Sequence, residues 1–210
     1  MVIVKAIIDF VMDILETIVF IGSLFIVVYL FIMAPNQVKG ASMEPAFNSG
    51  EYILTSKITY KFRQPHRGDV VVFKSPINPD IDYIKRIIGL PGDQIMVNTG
   101  EIRINENLLE ENYIAAKTNT WEGGYIREGV PITVPPKMVL VMGDNRQRSS
   151  DSREFGPIPI EDIIGVVFFR YFPTNKMGKI NNPLPKSLQS YILPHLKVFQ
   201  KTSYLFASLF

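Results

Sequence analysis

The pattern of apolar and polar positions divides the chain in two. The eighteen residues from Thr17 to Ala34 read TIVFIGSLFIVVYLFIMA and contain no charge. As a helix they would span ~27 Å, close to the hydrocarbon thickness of a bilayer. Ile7, Ile8, Phe10, Val11 and Ile14 lengthen the run upstream, and Asp9, Asp13 and Glu16 share one helical face, at headgroup level or in water. A cleavable signal peptide would have a shorter apolar region, a more basic start and an A-x-A site after it, and MAPNQVKGAS offers none. The core helix of a soluble protein is the other alternative to a span. The pattern predicts a membrane anchor over residues 1–34. Lys5 before it and Lys39 after it give the charge rule too little to set its orientation.

From Pro35 onward the texture changes to short β-branched runs punctuated by Gly, Pro, Asn and Asp. EYILT at 51–55, DVVVF at 69–73, YIKRII at 83–88, QIMVN at 94–98, EIRIN at 101–105, MVLVM at 138–142 and GVVFFRY at 165–171 all read as strands. Strands at this spacing, without helical periodicity between them, predict a mainly β fold. Asn98-Thr99-Gly100, between Ile95/Val97 and Ile102/Ile104, reads as a hairpin turn. Residues 107–136 are loopier and predict a small lobe inserted into a β-rich domain made of 35–106 and 137–180. The tail at 181–210 ends in YLFASLF, too short to span, and its pattern leaves open whether it lies on a bilayer surface or is disordered.

Composition narrows the function. At 210 residues the chain holds one compact domain plus an appendage, which excludes a large multidomain machine. Its 47% hydrophobic and 20% charged residues suit a packed core, and a mean hydropathy of +0.14 reflects the N-terminal segment. Zero cysteines exclude a disulfide scaffold, a thiol protease, cysteine-ligated zinc and an iron–sulfur protein. Two histidines, His66 and His195, argue against a histidine-rich metal site or a Ser-His-Asp triad. With 22 basic against 20 acidic residues, no global field draws the chain to nucleic acid.

Chemistry must then come from polar residues that interrupt the strands. In Tyr83-Ile84-Lys85-Arg86-Ile87-Ile88, alternation puts Tyr83, Lys85 and Ile87 on one face and Ile84, Arg86 and Ile88 on the other. If one face is core, one of the two cations is desolvated, and an ammonium gives up its proton far more readily than a guanidinium. A neutral Lys85 amine could act as a general base near neutral pH. The alternative is a lysine that snorkels to water from a half-exposed strand. With no Cys and little His, the nucleophile left is a serine. Ser42 follows Gly40-Ala41 and precedes Met43-Glu44-Pro45, a turn that can present a hydroxyl beside backbone N–H groups. Arg67-Gly68-Asp69 by itself reads as a surface turn.

Four boxes together carry a resemblance. They are Ser42-Met43-Glu44-Pro45, Arg67-Gly68-Asp69-Val70-Val71, Tyr83-Ile84-Lys85-Arg86 with Gly89-Leu90-Pro91-Gly92-Asp93, and Gly143-Asp144-Asn145-Arg146 followed by Ser149-Ser150-Asp151-Ser152-Arg153. In order and spacing the chain resembles the bacterial type I signal peptidases, membrane-anchored Ser-Lys endopeptidases of the leader peptidase family, from the anchor to about Tyr171. The resemblance implies a signal-peptidase-like catalytic core of antiparallel sheets, with Ser42 as nucleophile and Lys85 as its base. It implies that Ser149 hydrogen-bonds the lysine, and that Asp144, Arg146, Asp151 and Arg153 form supporting ion pairs. No cofactor or metal is implied. Some members carry a serine two positions before the nucleophile; here that position is Gly40, so backbone N–H groups, chiefly that of Ser42, must stabilise the oxyanion.

By the same resemblance the substrates are exported preproteins, cut after a small residue at A-x-A sites. Val38, Tyr83 and Ile84 are the expected pocket residues, and a substrate strand can add to an exposed sheet edge. The resemblance places the enzyme in the bacterial plasma membrane as a single-pass protein with its catalytic domain outside the cytoplasm, in contact with preprotein signal peptides and lipid. Two rivals stay open: a self-cleaving Ser-Lys peptidase on a related β fold, against which the anchor argues, and a tethered β module that binds exported chains without cutting.

Overall fold

The computed structural model describes residues 2–180; the tail expected at 181–210 lies outside the described residues. Helix α1, Val2–Val27, continues through a π-helical turn, Val28–Ile32. The stretch Ile3–Ile32 is long and apolar enough to cross a membrane, about 45 Å as a straight helix, and its most apolar window is wholly exposed. A core helix of a soluble protein would be covered. The wider π turn frees carbonyls, and Lys57 takes them: its Nζ donates to the Tyr29 and Leu30 oxygens at 3.0 and 3.3 Å, and its backbone N–H donates to Ile32 at 2.9 Å. The end of the apolar helix is thereby tied to the sheet.

The chain then builds β1 (Met33–Gln37), β2 (Tyr52–Ser56), a short α2 (Thr59–Phe62), β3 (Val70–Lys74), β4 (Asp82–Gly89), β5 (Gln94–Asn98), β6 (Glu101–Ile104), β7 (Asn107–Leu108), β8 (Ile132–Thr133) and β9 (Met138–Met142). After these come α3 (Ser152–Phe155), β10 (Ile158–Pro159), β11 (Ile163–Phe172) and β12 (Gly178–Lys179). The large sheet runs β1-β2-β11-β3-β4-β9-β10, with β12 on β11, and the small one β7-β6-β5-β8. Every pairing is antiparallel. The expected hairpin closes as a two-residue turn, with Asn98 opposite Glu101 and positive φ at Thr99 and Gly100. The small sheet starts at Gln94, ahead of the 107–136 lobe read from the sequence.

Both faces of the large sheet are buried. Val70 and Val72 pack with Val38, Met43, Phe47 and Ile53 on one side, while Val71 and Phe73 pack with Ile87, Val141, Ile158 and Val166 on the other. Such a strand reads as a continuous apolar run rather than an alternation, which is what DVVVF shows. The consequence for β4 goes beyond the sequence expectation: instead of one desolvated cation there are two, since Lys85 and Arg86 are each only 3% exposed. Between the small sheet and the β4/β9 end lies a third cluster, around Ile88, Ile95, Ile102, Ile126 and Leu140.

Strand β1 was hidden in the anchor pattern. Met33 and Ala34 prolong the apolar run and Pro35 looks like a break, yet Met33–Gln37 pairs with β2. Pro35 is tolerated because β1 is an edge strand, where a missing N–H costs no ladder bond.

Candidate active site

Two backbone edges frame a cleft of about 780 Å³. One belongs to β1; the other is the first half of β4, because β9 pairs with β4 only from Arg86 onward. Ser42 lies just past the end of β1, in a turn entered through Gly40 at φ +87°. Lys85 is the last residue of β4 before its pairing with β9 begins.

Lys85 Nζ stands 2.8 Å from Ser42 Oγ, donating to the hydroxyl oxygen when charged and placed to accept its proton when neutral. It also reaches the Ile84 carbonyl at 3.0 Å and lies 4.9 Å from the centroid of the Tyr83 ring. Burial pulls its pKa down from the ordinary 10.5 to about 8, against the attraction of Asp151 and Asp144, with Arg153 adding to the fall. An amine so placed is available as a base near neutrality. The Ser42 backbone N–H donates to no group among the described residues, so it can face a developing oxyanion.

Beneath this pair the 143–153 loop is held by buried ions. Arg86 grips Asp144 in a two-pronged contact at 2.6 and 2.8 Å, donates to the Gly68 carbonyl at 3.0 Å, and stacks 4.3 Å from the centre of Tyr113. Arg153 does the same to Asp151 at 2.8 and 2.9 Å. Burial pulls the Asp151 carboxyl up, but Arg153 and the Gly143 N–H together hold it below the ordinary carboxylate value. Arg146 pairs with Glu111 of the inserted segment and donates to the Gly143 carbonyl at 3.0 Å.

The loop docks directly on the nucleophile turn. The Asn145 N–H donates to the Ser42 carbonyl at 3.0 Å. Gly143 sits so close that a Cβ there would collide with the Ser42 carbonyl oxygen and with the Ser149 side chain. The Arg67-Gly68-Asp69 box is an internal brace rather than a surface turn: Arg67 pairs with Asp93 at 2.9 Å, and Asp69 is held by Arg63 and by the Tyr60 hydroxyl.

All ten residues singled out in the sequence converge here. Ser42, Lys85, Val38, Tyr83 and Ile84 line the cleft, and Asp144, Arg146, Asp151, Arg153 and Ser149 lie in the loop behind it. One expected contact is absent. Ser149 Oγ, buried under Gly143, makes no hydrogen bond of normal geometry to Lys85; its hydroxyl stands where it helps keep Asp151 ionised. The lysine spends its donors on Ser42 and the Ile84 carbonyl instead. Two partners escaped the sequence reading. Arg86 was visible only as the lysine's neighbour, and Glu111 had no local signal, since its partner lies 35 positions away. Among the described residues, no group of three or more His, Asp or Glu side chains is placed to hold a metal ion.

Comparison with known proteins identifies a family. Residues 11–172 match the family described as "Signal peptidase, peptidase S26". A probable signal peptidase I-2 of Synechocystis is 37% identical over 157 residues, covering 72% of this chain and 69% of the relative. Signal peptidase IB of Staphylococcus aureus is 33% identical over 185 residues, 81% of this chain and 96% of its own. A crystal structure of a signal peptidase I from Enterococcus faecalis, 36% identical, covers 50% of this chain and 97% of that one with a TM-score of 0.42.

Proposed function

The chain belongs to the peptidase S26 family of signal peptidases, and from that premise we propose that it removes signal peptides from exported preproteins with a Ser42-Lys85 dyad. The observation that carries the reading is the 2.8 Å contact between a serine hydroxyl and a lysine amine whose burial lowers its pKa to about 8.

In the reaction, neutral Lys85 takes the Ser42 proton as Oγ attacks the scissile carbonyl, and the oxyanion turns to the Ser42 N–H. The Lys85 ammonium then protonates the departing amine of the mature protein. Neutral again, it activates the water that releases the signal peptide from Ser42. Asp144, Arg146, Asp151 and Arg153 do no chemistry; their buried pairs fix the loop that seats the nucleophile turn.

Substrate choice follows from the walls. A strand laid between β1 and the free half of β4 can take backbone hydrogen bonds from both edges. Its side chains meet Val38, Ile53, Val72 and Ile84, which leave shallow apolar depressions that reject bulk by overlap. Small residues at the first and third positions before the cut, the A-x-A pattern, fit such depressions. The enzyme is membrane-anchored, and sharing a bilayer with its substrate raises the effective concentration of each for the other. We place it in the bacterial plasma membrane with the β domain outside the cytoplasm.

The test is direct. Purified full-length protein should cut a preprotein carrying an A-x-A signal, and Ser42→Ala and Lys85→Ala should each abolish the cut. Undiminished cleavage by Lys85→Ala would sink the dyad, and binding without any cleavage by the wild type would favour a tethered binding module.

A further inference from the structure

We infer that Lys39 and Arg148 form a cationic exit from the cleft that selects preproteins with an acidic side chain at the first positions after the cut. This rests on the signal-peptide reading and adds a specificity on the mature side of the scissile bond.

Direction comes from the sheet. Through four successive antiparallel pairings, β1-β2-β11-β3-β4, strands β1 and β4 run the same way. Register places their starts at one end: Met33, straight after the membrane helix, lies opposite Ser56, Ser56 opposite Val166, Phe73 opposite both Ile163 and Tyr83, and Lys74 opposite Asp82. Asp80, Ile81 and Asp82 therefore line the anchor-side mouth of the cleft. Lys85 and Ser42 lie further in, ~10 Å along β4 from Asp82. A signal peptide held in the bilayer must come in at that mouth, so the chain runs away from the membrane and its mature residues leave past Ser42.

Past the far end of β1 the cleft is lined by Lys39, three residues before Ser42, and at the Ser42 turn by Arg148 and Ser150 of the loop docked there. Arg148 is carried on the docked loop, where its N–H donates to Asn145, which in turn holds the Ser42 carbonyl. Both cations are exposed, and neither side chain makes an ion pair or hydrogen bond among the described residues. The acids close by are engaged elsewhere: Asp151 by Arg153, and Glu154 by the Ser150 hydroxyl. Glu44, two positions past the nucleophile, does not line the cleft. At the anchor-side mouth the sign is reversed, with Asp80 and Asp82 as lining residues, Asp82 already held by Lys74. A cleft acidic where the signal enters and basic where the mature chain leaves fixes the charge it prefers after the cut. Exposed single contacts of this kind are modest, which sets the expected discrimination at about fivefold.

Three otherwise identical preproteins, with Glu, Ala or Lys at both of the first two positions after the cut, are digested by the full-length protein in an uncharged detergent. Wild type should rank them Glu, Ala, Lys in kcat/KM, about fivefold from end to end, and 0.5 M salt should compress the series. In Lys39→Gln/Arg148→Gln the Glu-to-Lys ratio should fall to near one, and in Arg148→Glu it should invert. A ratio taken within one preparation does not depend on how much of a variant is folded. A wild-type ratio near one, or a ratio unmoved in the double variant, overturns the exit while leaving the peptidase reading intact. Failure to cut any of the three overturns that reading and the exit with it.

Discussion

The carbonyl of Ser42 accepts the backbone N–H of Asn145 at 3.0 Å, so the turn that presents the hydroxyl is seated on the loop that begins at Gly143. The fit is tight enough that the absence of a side chain at 143 is a requirement. A Cβ there would overlap the Ser42 carbonyl oxygen and the Ser149 side chain, and the carbonyl, being backbone, can yield only by moving Ser42 itself. Gly143→Ala should therefore lower kcat by about a hundredfold, the usual order for a reacting group displaced by about 1 Å. Steady-state kinetics alongside circular dichroism checks it; full activity in a folded Gly143→Ala protein would mean that the two loops slide freely.

How much of this was legible in the sequence depends on the range of the interaction. The β5–β6 hairpin was readable because its turn and both strands are contiguous, and the central strands because burial on both faces writes itself as unbroken Val and Ile. β1 was not, since only pairing with β2 distinguishes Met33–Gln37 from the helix before it. The two-residue strands β7, β8, β10 and β12 are too short to alternate. At the site, Ser42 and Lys85 stood out through their boxes, although 43 positions separate them. The identity of each ion pair did not. Which acid meets Arg146 depends on where a loop from the inserted segment lands, and nothing near Glu111 says so.

The rate should depend on pH through Lys85. Burial lowers its pKa to about 8, and the neutral amine is the form that accepts the serine proton. With chemistry limiting, kcat/KM should climb about tenfold per pH unit below 8 and level off above it. A profile flat from pH 6 to 9 in single-turnover measurements would show that another group accepts the proton.

Stability should move the opposite way from activity when the amine is removed. Below pH 8 the folded protein carries a buried ammonium; between 8 and 10.5 it sheds that proton while the unfolded chain keeps it. The unfolded state then binds more protons, so wild-type stability rises with pH across this window and the penalty is gone above it. Lys85→Met should be inactive yet more stable than wild type, by up to about 3 kcal/mol at pH 7, with the gap closing toward pH 10.5. Denaturant unfolding at three pH values reads this out. A variant less stable at pH 7 would mean that the Ser42 and Tyr83 contacts outweigh the cost of burying the charge.

Arg86 and Asp144 test whether the ions behind the site act through fold or through field. Both are buried, so Asp144→Ala leaves a guanidinium without its carboxylate and should cost about 3–5 kcal/mol. Adding Arg86→Met removes the orphaned charge and should restore most of that stability, because the desolvation of two ions offsets much of what their pairing contributes. Activity separates the two roles. Asp144 attracts the Lys85 proton, so its loss lowers the lysine pKa and should move the rising limb of the pH–rate profile to lower pH. In the double variant the limb should stay low even as stability recovers, since the carboxylate is still missing. If the limb returns with stability, Asp144 acts on Lys85 only by holding the loop in place.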